Sequence, residues 1–112
     1  MRVQHVNAVI SSGQTASSTI SLSDNALDFS CFVGFYTPAA LTGTSFTFQA
    51  SSDGSTFVNV LNEGTSYSVT VAASRYVSVE PAVFAGVRFI KIVSGSSEGA
   101  ERTIVACLRE VH

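Results

Sequence analysis

Short runs rich in Val, Ile, Phe, Tyr and Thr recur along this chain at intervals close to ten residues, and Gly, Pro, Asn, Asp or Ser closes nearly every one. No other feature constrains the fold as strongly. A helix needs about ten or more residues with apolar positions three and four apart, whereas shorter alternating runs suit strands. The runs that read as strands are Val3 to Ile10, Ser18 to Leu22, Phe29 to Tyr36, Ser45 to Ala50, Thr56 to Leu61, Ser66 to Val71, Arg75 to Val79, Val87 to Val93 and Thr103 to Leu108. Their spacing is a sandwich or barrel signal, and the all-β fold expected is an antiparallel β-sandwich of about eight or nine strands with one short helical turn. Abundant Ser and Thr agree, because their hydroxyls compete with the helical backbone and Thr is β-branched. At 112 residues the chain can bury one core but not two, so residues 1–112 are read as one domain.

The sharpest local signal is the hairpin around Ser51-Ser52-Asp53-Gly54-Ser55, where Asp-Gly is expected to supply the positive φ angles of a tight turn. Phe46 and Phe48 alternate with Ser45, Thr47 and Gln49 on the way in, which gives that strand one apolar face. A second turn at Asn62-Glu63-Gly64-Thr65 leads into Tyr67, Val69 and Val71. Pro81 suits a first helical turn and Gly86 its end, so a single turn is expected there, with Phe84 plugging one end of the sandwich. In the next strand Ile90 and Ile92 share one face and Phe89 and Lys91 the other. The last segment fits a helical stripe through Ile104, Val105, Leu108 and Val111 about as well as a strand. Its β-branched start, Thr103-Ile104-Val105, favours the strand. Ser94 to Gly99, rich in Gly and Ser, reads as an exposed, mobile loop.

Charged residues make up 12% of the chain, against about a quarter in an average soluble domain, so other chemistry must cover part of the surface. The net charge is −2 and the six basic residues are scattered, which speaks against nucleic-acid binding. No apolar run approaches the ~20 residues of a membrane helix, so no membrane partner is expected. Met1-Arg2-Val3-Gln4-His5 lacks the apolar core of a signal peptide, and synthesis in the cytoplasm is the expectation. Cys31 and Cys107 lie in apolar runs and read as small buried hydrophobes; a disulfide would need oxidising conditions and neighbouring strands.

Catalysis is not expected. The only histidines, His5 and His112, stand close to the ends of the sequence, and the surroundings of Cys31 would raise its pKa rather than activate it. The carboxylates fall mostly in predicted turns and read as solvated. Asp24, Asn25 and Asp28 could offer oxygens to Ca²⁺, but their spacing matches no full calcium loop, so no metal or other cofactor is expected. Tyr36, Tyr67 and Tyr76 are the candidate sugar-stacking rings in a chain without Trp, although packing at an edge or interface explains them equally well.

FTFQASSDGSTFVNV at 46–60 and RFIKIVSG at 88–95 resemble the galactose-binding-like, or discoidin-like, jelly roll. The order YTPAAL (36–41), FTFQASSDGSTF (46–57), VEPAVFAGVRFIKIVSG (79–95) and ERTIVACL (101–108) is similar to small virion proteins of tailed bacteriophages. The resemblance implies a jelly-roll scaffold and a capsid cement or decoration protein. Such a protein would be made in the host cytoplasm and reside on the capsid surface. Its partners would be the major capsid protein and itself, as a homodimer or homotrimer. The segment 1–7, with Arg2, Val3, Gln4 and His5, is then a candidate N-terminal arm, and Ser96, Ser97 and Glu98 on the loop after Ser94 are candidate contacts, with Tyr36 and Tyr67 beside them. Low charge and apolar residues on both faces of several strands suit a protein that lives in an assembly. The alternative is a carbohydrate-binding module of a phage tail or head fibre, whose binding aromatics cannot be placed residue by residue here.

Overall fold

The structure, a computed structural model, describes residues 3–22, 29–84 and 86–111. Its strands are β1 (Val3–Ile10), β2 (Ile20–Ser21), β3 (Phe29–Tyr36), β4 (Ser45–Ser51), β5 (Val58–Asn59), β6 (Leu61–Asn62), β7 (Thr65–Ser66), β8 (Ser68–Thr70), β9 (Tyr76–Ser78), β10 (Phe89–Ser94) and β11 (Arg102–Val111). They form an all-β antiparallel sandwich. One sheet has four strands in the order β1-β11-β3-β9; the other runs β2-β10-β4-β5, with β8 also paired to β4. A separate ribbon joins β6 to β7 through the turn at Glu63 and Gly64.

Alternation sets what each sheet buries. In the five-stranded sheet Phe48 of β4 lies opposite Ile92 of β10, with Phe46 and Ile90 further along, and all four side chains point into the core. From the four-stranded sheet come Ala8, Ile10, Phe32, Phe35, Ile104, Ala106 and Leu108. Phe32 and Phe35 are three residues apart, so strict alternation would put them on opposite faces. A bulge resolves this: Cys107 pairs with Gly34 and Leu108 with Phe32, leaving Val33 as the extra residue of β3. Both rings then meet Phe48, at centroid distances of 5.7 and 6.4 Å.

The turn Pro81–Phe84 is a 3-10 turn, and Phe84 plugs the core edge-on against Phe32, Phe48 and Tyr67. β11 is a strand through all ten of its residues and lies between β1 and β3, where its β-branched start suits a central position.

Three expectations need correction. The expected strand Thr56 to Leu61 is broken, because β5 pairs β4 over only two residues and the chain then turns Val60 inward, its N–H donating to the Phe48 carbonyl, before starting β6. The hairpin after β4 is also wider than a tight turn, since Ala50 pairs with Val58. Gly54 supplies its positive φ of 82°, whereas Asp53 acts through its carboxylate, accepting bonds from Ser51 Oγ and from the N–H groups of Ser55 and Thr56. Those bonds hold the Asp53 carboxyl at about 2. Finally, within the segment expected as an arm, Val3 to Asn7 form part of β1 and pair residue by residue with β11.

Candidate functional site

The outer face of the four-stranded sheet gathers the chemistry that the sequence scatters. Alternation sends Val3, His5, Asn7 and Val9 of β1 outward, with Thr103, Val105, Cys107 and Arg109 of β11, Cys31, Gly34 and Tyr36 of β3, and Tyr76 and Ser78 of β9. Val3 is 60% exposed, and Tyr36 and Tyr76 are each about half exposed. Tyr36 and Tyr76 are a cross-strand pair with ring centroids 4.8 Å apart, and His5 meets Tyr36 edge-on at 6.2 Å.

Gly34 makes the arrangement possible. The hydroxyl end of the Tyr76 ring lies over it, so an added Cβ would collide with the Tyr76 hydroxyl and fall 2.6 Å from the ring carbon Cζ and 2.8 Å from the Val77 carbonyl oxygen. Under this cover Cys107 is buried while Cys31 is partly exposed, and both thiols are free. Burial pushes both thiols up, and it also raises the Tyr76 hydroxyl, helped by Cys107 and Tyr36. Among the described strand residues of this face none is a carboxylate, so it offers apolar and aromatic surface with a cationic end at Arg109. Among the described residues no three of His, Cys, Asp and Glu converge as metal ligands. Asp24, Asn25 and Asp28 lie outside the described residues.

Of the interface residues expected from sequence, Val3, His5 and Tyr36 meet on this face. Gln4 alternates to the other side of β1, and Arg2 lies outside the described residues. Tyr67 does not belong to the face. Its ring packs on Phe48 and Phe84, and its hydroxyl accepts the Glu80 N–H at 2.9 Å, so the side chain is half-buried and held against the core rather than presented on the face. Tyr76, by contrast, is part of the face, and its place beside Tyr36 follows from a β3–β9 register that sequence spacing does not reveal.

The loop after Ser94 overturns another expectation. Ser96 and Ser97 are exposed, but Glu98 is 1% exposed and unavailable to any partner. Oε1 accepts the Thr42 N–H at 2.8 Å and Arg102 Nε at 3.0 Å; Oε2 accepts the Gly43 N–H at 2.9 Å and Ser94 Oγ at 2.7 Å. The loop backbone is pinned as well, with Gly95 N–H donating to Ser45 and Glu98 N–H to Gln14. Gly and Ser composition reads as mobile; the anchor is a carboxylate bonded to residues more than fifty positions earlier.

The outer face of the other sheet differs. Thr47, Gln49 and Lys91 project there, with the Lys91 ammonium 4.5 Å from the centre of the Phe57 ring. Comparison with protein-family models, with curated proteins and with solved structures finds no match for this chain.

Proposed function

We propose that the chain is a non-enzymatic structural protein that docks on a protein lattice through the outer face of its four-stranded sheet. The reading follows the resemblance of the sequence to phage capsid cement proteins of jelly-roll type. One observation carries it. Val105, Tyr36 and Tyr76 lie in register across β11, β3 and β9, and His5 of β1 meets Tyr36 edge-on, which makes a row of apolar and aromatic side chains on a chain with few charges. Aromatic rings backed by a rigid sheet are the anchors that protein interfaces use most, because little side-chain freedom is lost on binding.

Co-sedimentation with expanded shells of the major capsid protein from the same phage tests the reading. Saturable binding, lost in Tyr76→Asp and retained in Gln49→Glu on the opposite face, is expected. Failure to pellet with the shells overturns it, as does binding that Tyr76→Asp leaves intact. Glycan-array binding sensitive to Tyr36→Ala would replace it with the carbohydrate-module reading.

A further inference from the structure

We infer that β1 is a pairing edge for a second copy of this chain, joining two four-stranded sheets into one sheet of eight strands about a twofold axis at His5. β1 is an edge strand, and it is far longer than the edge strands β2, β5, β8 and β9, which have two or three residues each. Val9 fixes which backbone groups face outward. Its N–H donates to Ser18 Oγ at 3.1 Å and its carbonyl accepts the Ser18 N–H at 2.9 Å, so both point away from β11.

In an antiparallel strand the direction alternates residue by residue, so Asn7, His5 and Val3 point the same way while Gln4, Val6, Ala8 and Ile10 bond to β11. No described residue takes up the outward groups of Val3, His5 and Asn7. Edges of this kind are usually guarded by Lys, Pro, a bulge or an inward charge. Val3–Ile10 contains no charged residue and no Pro, and its register with β11 is unbroken.

A second copy is the occupant that fits. Ser17 and Ser18 close the edge beyond Asn7, so one antiparallel register uses every open group of the described β1 residues in both copies: Val3 against Asn7, His5 against His5 and Asn7 against Val3. Each pair exchanges two hydrogen bonds. The pairing is isologous, so it closes both edges at once and leaves no long edge for further growth. The row through His5 and Tyr36 then continues across the axis, doubling the face described above.

Sedimentation velocity and amide exchange test this on the isolated protein. Wild type is expected to run at twice the chain mass, with the N–H groups of His5 and Asn7 protected in a concentration-dependent way. His5→Lys, which sets two like charges face to face, should weaken the dimer at least tenfold. Asn7→Pro should also weaken it while keeping the native circular dichroism, because that N–H makes no bond to β11. Val6→Pro should instead damage the fold. A monomer at millimolar concentration overturns the inference; so does a dimer indifferent to His5→Lys whose amides at 5 and 7 exchange freely. Pairing does not depend on what the outer face binds: Tyr76→Asp, three strands away on β9, should spare the dimer whether or not it abolishes lattice binding.

Discussion

Replacing Glu98 with Gln measures how firmly one buried carboxylate ties the loop after β10 to the rest of the sandwich. The substitution keeps the side-chain size but puts an NH2 group where donors already point. In the cheaper orientation the amide nitrogen faces Gly43 and Ser94; the Ser94 hydroxyl can turn to accept, but the Gly43 N–H is stranded. Arg102 loses its ionic partner but keeps two neutral bonds, from Nε to the amide oxygen and from Nη2 to Thr42 Oγ1. A stranded buried donor costs about 1–3 kcal/mol, and a broken buried pair about 3–5. The low end applies because the Arg102 side chain is 16% exposed, so the expected loss is about 3 kcal/mol at neutral pH.

The pH dependence supplies a second, independent check. Burial alone would raise the Glu98 carboxyl, but the bonds from Thr42, Ser94, Gly43 and Arg102 bring it from the ordinary 4.5 down to about 2. A carboxyl lowered on folding contributes stability that is fully present above pH 4.5 and lost as pH falls through about 2. That displacement corresponds to about 3 kcal/mol, discounted to about 2 for solvent screening near the exposed Ser96 and Ser97. Urea unfolding followed by circular dichroism should place the Glu98→Gln midpoint about 2 M below wild type at pH 7, for a slope of ~1.5 kcal/mol/M. The gap should shrink steadily as the pH is lowered from 4.5 toward 2. A difference under about 0.5 kcal/mol at pH 7, or one that does not change with pH, would refute the reasoning.

Phe84→Ala should cost about 3–5 kcal/mol in thermal unfolding, since its ring fills the end of the core against Phe32, Phe48 and Tyr67; a loss below about 1 would mean that the end of the sandwich closes without it. Gly34→Ala should destabilise by about 1–3 kcal/mol and change the near-UV dichroism of the Tyr36–Tyr76 pair, because the Val77 carbonyl beneath Tyr76 is backbone and cannot swing aside; unchanged spectra would show the close approach to be unimportant. In the folded protein Cys31 should react with a disulfide reagent well before Cys107, since Cys107 is buried; equal rates would contradict the covered position of Cys107 under Tyr76.

Much of the fold is legible in the sequence because local chemistry and global position agree there. Phe46 and Phe48, Ile90 and Ile92, the turn at Glu63-Gly64 and the Phe84 plug are all placed by alternation or by turn chemistry within a few residues. The half of β3 that holds Phe32 and Phe35 is not, since its pattern makes sense only with Val33 bulged out, and the partner that reveals the bulge is β11, some seventy residues away. The candidate face divides the same way. Val3, His5 and Tyr36 stand out in the sequence as residues of interest, but nothing local brings them together or removes Tyr67 from their company.

The sequence by itself determined an all-β fold of short antiparallel strands, because a period of two and frequent turn residues leave no helical way to bury so much Val, Ile and Phe. Pairing across long separations decided the rest. It put Tyr76 over Gly34 beside Tyr36, and it turned Glu98 from an apparent loop charge into a buried anchor. It also left Val3, His5 and Asn7 along an edge that no described residue pairs with. Strand order and register depend on which distant residues meet, and a residue's own neighbours in sequence carry no record of that.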